Sequence, residues 1–281
     1  MKLYVILAGF ILLFGCVQEA PVSPELPDSE LEDPDDGIEE LPSEEEMTNV
    51  EMLLEKGSYE TTSSDLTYYE SVTGYLAKPA DAGNYPGIII IHEWWGLNKE
   101  IKEMADMLAS NGYSVIAVDL FNGSVASTPD EARAQVSSLN QTMAIENMQA
   151  ALSYLRNNEG AQRTASMGWC FGGGQSMQLA LSGETLDATV IYYGSLVTDE
   201  QQLQTIEWPV LGVFGDQDQV VPVSDVELFN SSLDNLGIEN EIYMYEGVGH
   251  AFANPSGANY APEETQDAWD KTLTFLDKHL Q

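Results

Sequence analysis

The sequence predicts an α/β domain, a mostly parallel sheet with helices on both faces. Three observations predict it. Short continuous apolar runs such as Ile88-Ile89-Ile90-Ile91 recur along the chain, as expected of strands buried on both sides. Longer segments between them repeat their apolar residues at helical spacing. Gly or Asn closes most of those segments, so strand and helix alternate in the way that builds parallel sheets. No internal repeat is visible.

The pattern begins at residues 61–85. Tyr68, Val72, Tyr75 and Leu76 supply β-forming side chains there, and Lys78-Pro79 closes a strand or hairpin. Tyr85-Pro86-Gly87 is a turn into the strand at 88–91. A helix over Lys99–Ser110 sets Ile101, Met104, Ala105 and Leu108 on one face and stops at Asn111-Gly112. A strand at 114–119 follows, then helices at 130–139 and 143–156, then a strand at 165–169. The next helix runs from Phe171 to about Ser182, where Gly183 stops it. Strands at 188–193 and 210–215, a helix at 224–236 ended by Gly237, a strand at 241–245 and a helix at 263–280 complete the domain.

Composition narrows the partners. The chain has 281 residues, 46 acidic against 10 basic, and a formal net charge of -36. Nucleic acid and anionic membrane surfaces would repel it. Sixteen of the acids, with a single Lys, fall between 17 and 60, among Pro21, Pro24, Pro27, Pro34 and Pro42. That stretch lacks the apolar surface to offset its ordering entropy, so 17–60 is read as a disordered spacer before a folded domain at 61–281. The acidic, lysine-poor remainder is what a salty habitat would select. Two cysteines, Cys16 and Cys170, and three histidines give neither a disulfide framework nor a zinc spacing, so no metal or other cofactor is expected.

Residues 1–16 read as an export leader. Lys2 precedes an apolar run from Leu3 to Phe14, too short for a comfortable membrane span. The run ends Leu13-Phe14-Gly15-Cys16, which resembles a lipobox, where cleavage exposes the Cys for lipid attachment. The expectation is a lipoprotein on the outer face of the cell membrane, touching the membrane only through this anchor.

The chemistry concentrates in three motifs. Gly168-Trp169-Cys170-Phe171-Gly172 fits the G-x-S-x-G nucleophile elbow with Cys for Ser, between a strand and a helix. Gly215-Asp216-Gln217-Asp218 follows a later strand; Asp218 is the favoured acid and Asp216 the reserve. Gly249-His250-Ala251-Phe252 follows the last strand. Nucleophile, acid, then His is the chain order of α/β-hydrolases. A helix N-terminus and a nearby imidazole both favour a thiolate at such a Cys.

Together with Ile91-His92-Glu93-Trp94-Trp95-Gly96-Leu97-Asn98 and Phe252-Ala253-Asn254, these motifs resemble the dienelactone hydrolase family from about residue 65 onward. The resemblance implies the α/β-hydrolase fold and a Cys170, Asp218, His250 triad. It implies that Glu93 contacts the resting thiol and that the Trp94 and Phe171 backbone N–H groups form the oxyanion hole. The expected activity is hydrolysis of an ester or lactone through an acyl-thioester. A broad carboxylesterase or thioesterase and a non-catalytic binding lipoprotein are the alternatives. One departure bears on substrate. Family members hold an anionic substrate with arginines, one of them just after the catalytic His, where this chain has Asn254. Its arginines are only Arg133, Arg156 and Arg163, and the pairs Trp94-Trp95 and Tyr192-Tyr193 suggest a more apolar pocket.

Overall fold

The computed structural model describes Leu54 and residues 56–281. The expected leader at 1–16 with Cys16, and the spacer apart from Leu54 and residues 56–60, lie outside the described residues.

Strands β1 (Thr61–Tyr69) and β2 (Val72–Pro79) form an antiparallel hairpin at the sheet edge. β2 runs antiparallel to β4 (Ser114–Val118). From β4 inward, β3 (Gly87–Ile91), β5 (Thr164–Trp169), β6 (Ala188–Tyr192), β7 (Val210–Gly215) and β8 (Asn240–Tyr245) pair in parallel. The order is β1-β2-β4-β3-β5-β6-β7-β8, one sheet among the described residues. After β3 the chain steps to β4 on one side, then returns to β5 on the other. Open sheets bind ligands at such a reversal, beyond the carboxyl ends of the strands.

Seven helices cover the sheet among the described residues: α1 (Lys99–Ser110), α2 (Pro129–Ser138), α3 (Gln141–Asn157), α4 (Phe171–Ala180), α5 (Glu200–Leu203), α6 (Val223–Leu236) and α7 (Pro262–Leu280). The starts of α1, α2, α3 and α5 are capped by side chains. Asn98 accepts from the Ile101 amide, Thr128 from Glu131 ahead of Pro129, and Asn140 from Thr142 and Met143. Strand alternation divides the core. Ile88 and Ile90 pack with Ile101 and Leu108 of α1 and Phe275 and Leu276 of α7. Ile89 and Ile91 face the other way, onto Leu152 of α3, Met177 of α4 and Phe229 of α6.

The structure departs from the expected elements at a few points. α5 is too short to show a helical period, and Asp199 caps it through the Gln201 amide. β4 ends one residue early because the Asp119 carboxylate turns back to accept the Phe121 and Gly123 amides. β6 ends at Tyr192 because Tyr193 adopts a positive φ of 35°. Ordered packing begins ahead of residue 61: Leu54 is buried in the core, and Ser110 accepts from the Gly57 and Tyr59 amides at 2.9 and 3.0 Å.

The turn from β5 into α4 is closed backbone against backbone. A Cβ on Gly172 would stand 2.1 Å from the Ile91 carbonyl oxygen, and one on Gly168 would stand 2.2 Å from the Gly172 carbonyl oxygen. Both obstacles are backbone and have nowhere to move. Gly172→Ala is therefore expected to destabilise the fold by more than about 3 kcal/mol. Gly183→Ala meets nothing within 4 Å and carries only the strain of its φ of 84°, about 1 kcal/mol. Urea unfolding of the two variants checks this; equal effects would show that the turn is not crowded.

Candidate active site

Cys170 sits where β5 gives way to α4, at φ 53° and ψ -117°. A non-glycine residue there stores about 1–3 kcal/mol of strain. Hydrogen bonds hold it: its N–H donates to the Tyr192 carbonyl at 3.0 Å, and its own carbonyl accepts from the Gly174 amide at 3.1 Å. The thiol is half-buried at the head of α4.

His250, in the loop after β8, brings Nε2 to 3.1 Å from the thiol sulfur. Its Nδ1 donates to Asp218 Oδ2 at 2.8 Å. The Asp218 side chain is fully buried. Its Oδ1 accepts from the Val220 and Val221 amides at 2.7 and 3.0 Å. Burial alone would raise the Asp218 carboxyl, but the His250 bond and these amides outweigh it and hold it below the usual range. Burial likewise opposes charge on His250, yet its bonds to Asp218 and Cys170 lift the imidazole to about 10. A proton leaving the thiol therefore finds a strong acceptor. Asp216 plays no part in this chain. It accepts from the Gly247 amide at 2.7 Å and braces the loop that follows β8.

Glu93 follows β3, beside the elbow. It is buried, and burial raises its carboxyl to about 7 against the opposing pull of His250 and Asn254. Its position differs from the expected contact with the thiol. Oε2 accepts from the Asn254 amide at 2.6 Å, and Oε1 has no partner among the described residues. The physical reason is Asn254 itself, a short donor at the end of the His250 loop that draws the carboxylate toward it. The loop carrying Glu93 is pinned by His92, a fully buried residue that the motif reading passed over. His92 Nε2 accepts from the Leu120 amide at 3.1 Å, which assigns Nδ1 as donor to the Glu93 carbonyl at 2.6 Å. Burial lowers the His92 imidazole, in keeping with this neutral tautomer.

The Trp94 and Phe171 amides donate to no other group among the described residues, so both are free to face a developing oxyanion. Gln135 of α2 donates to the Trp94 carbonyl at 3.3 Å and steadies that peptide. The two tyrosines part company. Tyr192 is core, donating to the Ala268 carbonyl of α7 at 3.0 Å. Tyr193 lies edge-on to the His250 ring at 5.3 Å and is buried, with its hydroxyl unpartnered among the described residues. A cavity of about 30 Å³ is lined by Glu93, Tyr193, Asn254 and Trp169 among others. Among the described residues no cluster of His, Cys, Asp or Glu is arranged to hold a metal ion, and no helix is long and apolar enough to cross a membrane.

Residues 72–280 match the Dienelactone hydrolase family. Protein usf of Aquifex pyrophilus is 30% identical over 219 residues, covering 74% of this chain and 94% of the relative. A protein of Saccharolobus solfataricus assigned as a carboxymethylenebutenolidase is 28% identical over 252 residues, covering 74% of this chain and 96% of the relative. Among solved structures, one assigned as a dienelactone hydrolase from Klebsiella pneumoniae superposes with a TM-score of 0.72 at 25% identity, covering 78% of this chain and 99% of that one. The expected α/β-hydrolase architecture is the observed one.

The Glu93 environment has a consequence for stability. A carboxyl raised from its ordinary 4.5 to about 7 favours the fold while protonated. That contribution is whole below pH 4.5 and is lost as pH rises through 7. Glu93→Gln cannot ionise, so it is expected to gain stability relative to the native chain across this window and keep the gain above it, by up to about 3 kcal/mol. Urea unfolding of both proteins across the window reads the difference; a gap that does not change with pH would refute the raised carboxyl.

Proposed function

The chain belongs to the dienelactone hydrolase family, and from that premise we propose that it hydrolyses an ester or lactone with Cys170 as nucleophile. It is a hydrolase of that family; the thiolate route and the acyl-thioester are the finer reading. The observation that carries this reading is the run Cys170 Sγ, His250, Asp218, hydrogen-bonded at 3.1 and 2.8 Å on a strained turn at a helix N-terminus.

The steps follow from the geometry. The thiol proton passes to His250 Nε2, and the sulfur attacks the carbonyl carbon to form a C–S bond. The oxyanion that develops is met by the free Trp94 and Phe171 amides, each donor typically contributing about 3 kcal/mol to the transition state. Collapse breaks the C–O bond, and the leaving oxygen takes the proton back from His250. In a lactone that oxygen stays attached to the acyl chain. His250 then removes a proton from water, hydroxide attacks the thioester, and the thiolate departs. A thiolate is a better leaving group than a simple alkoxide. Aryl and enol esters are therefore favoured over alkyl esters and amides.

Aryl esters, alkyl esters and lactones presented to the native chain and to Cys170→Ala test this. The variant is expected to lose at least about 10³-fold in kcat/KM on every substrate. Acid-quenched native enzyme is expected to carry the acyl mass on the peptide holding Cys170. Undiminished turnover by the variant would exclude Cys170 as nucleophile.

We further propose that the chain is exported and tethered by lipid on Cys16. The apolar run from Leu3 to Phe14, the Leu13-Phe14-Gly15-Cys16 sequence and the acidic, Pro-rich segment behind it support this. Labelled fatty acid is expected to enter the native chain in cells and to be absent from Cys16→Ser; label retained by the variant would refute the anchor.

A further inference from the structure

We propose that the acyl side of this site receives an uncharged group bearing a hydroxyl and turns carboxylates away. The proposal rests on the reading of Cys170 as nucleophile and concerns the small cavity beside it. The cavity is flanked by Trp169, the residue before Cys170, and by Tyr193, whose ring lies against His250. Its polar lining is Glu93, Glu100, Asn98, Asn254 and Tyr193, with no Lys or Arg among the described residues that line it.

Two polar atoms there lack partners, Glu93 Oε1 and the Tyr193 hydroxyl, and both residues are more than nine-tenths buried. A buried polar atom left without a partner destabilises the site, so a ligand group that satisfies it is favoured. One hydroxyl would satisfy both, donating to Glu93 Oε1 and accepting from Tyr193. The volume of about 30 Å³ leaves room for a group of hydroxyl size. Asn254 offers a carboxylate no charge: one N–H of its amide donates to Glu93, and its oxygen accepts from the Ser256 amide at 2.9 Å. A carboxylate in this place would find no cation among the described residues, and only neutral donors such as the Tyr193 hydroxyl would offset its desolvation. Arg133 lies 6.0 Å from the Trp94 ring, paired with Asp130 at 2.5 Å and outside the cavity lining.

The test compares kcat/KM for 4-nitrophenyl esters of butyrate, 3-hydroxybutyrate, 3-aminobutyrate and the succinate monoester, with Cys170→Ala as background. The hydroxy ester is expected to exceed butyrate by about fivefold and the succinate ester to fall at least tenfold below butyrate. In Tyr193→Phe the hydroxy-to-butyrate ratio is expected to drop to about one, whatever the absolute rates. Where that variant does not fold, the ranking on the native chain alone decides. Equal rates on butyrate and 3-hydroxybutyrate, a preference for the succinate ester, or an amino ester that outruns the hydroxy ester would each overturn the proposal. Turnover of none of the four esters would instead sink the hydrolase reading on which it rests.

Discussion

The carbonyl oxygens of Ile91 and His92 lie so near the Gly172 Cα that no Cβ fits between them. The first turn of α4 is thereby seated directly on the end of β3. The same contact sets the Phe171 amide and the loop bearing Glu93 and Trp94 on one side of the sheet, across the reversal between β3 and β5. Gly168 allows the opposite closure, of β5 against the Gly172 carbonyl. Cys170 is left at the apex in a backbone conformation that few L-residues adopt. Strain at that residue is the local consequence of packing two backbones without side chains between them, and hydrogen bonds to Tyr192 and Gly174 hold it in place.

On this frame the site is arranged by burial and by how fully each polar atom is partnered. Asp218 is buried and saturated by three donors, so it stays ionised and fixes the His250 ring. His92 is buried and saturated by two backbone groups, so it stays neutral and fixes the Glu93 loop. Glu93 is buried and half-satisfied. It is thus the group whose protonation the site leaves open near neutral pH. The aromatic cluster of His92, Phe121 and Phe171, with ring centroids 4.8 to 6.0 Å apart, joins the β4 loop to the elbow. It makes the three loops one rigid wall.

The elements were largely legible because strands buried on both faces and helices with one apolar face each leave a short-range period. The order of elbow, acid and His was legible because each motif hugs a strand end. What the periods do not carry is contact across the sheet. Glu93 and Asn254 are 161 positions apart, and nothing local to either marks them as partners. Asp216 and Asp218 sit on the same loop; only the approach of the β8 loop, which offers Gly247 to one and His250 to the other, tells them apart. The tyrosine pair reads as one feature in sequence. A positive φ at Tyr193 sends one ring to α7 and the other to His250. Leu54 falls in a stretch whose composition is that of a solvated spacer, yet a single large apolar side chain near a domain edge finds the core.

The net charge of -36 raises the question of how far the surface acids are felt at Cys170 and Glu93. Distance and screening decide it. At physiological ionic strength exposed charges fade over about 8 Å, so the field of the surface acids contributes little at the thiol. The groups around the thiol are local: amide dipoles at the head of α4 and the His250 imidazole, bonded to Asp218 on its far side. The strong local acid is Glu93, and the enzyme has kept it buried, bonded to a neutral amide and near the point of neutralisation. An arginine in place of Asn254 would favour the ionised carboxylate through its charge. With Asn254 the neutral amide bond lowers the carboxyl only in part, and burial keeps it raised to about 7.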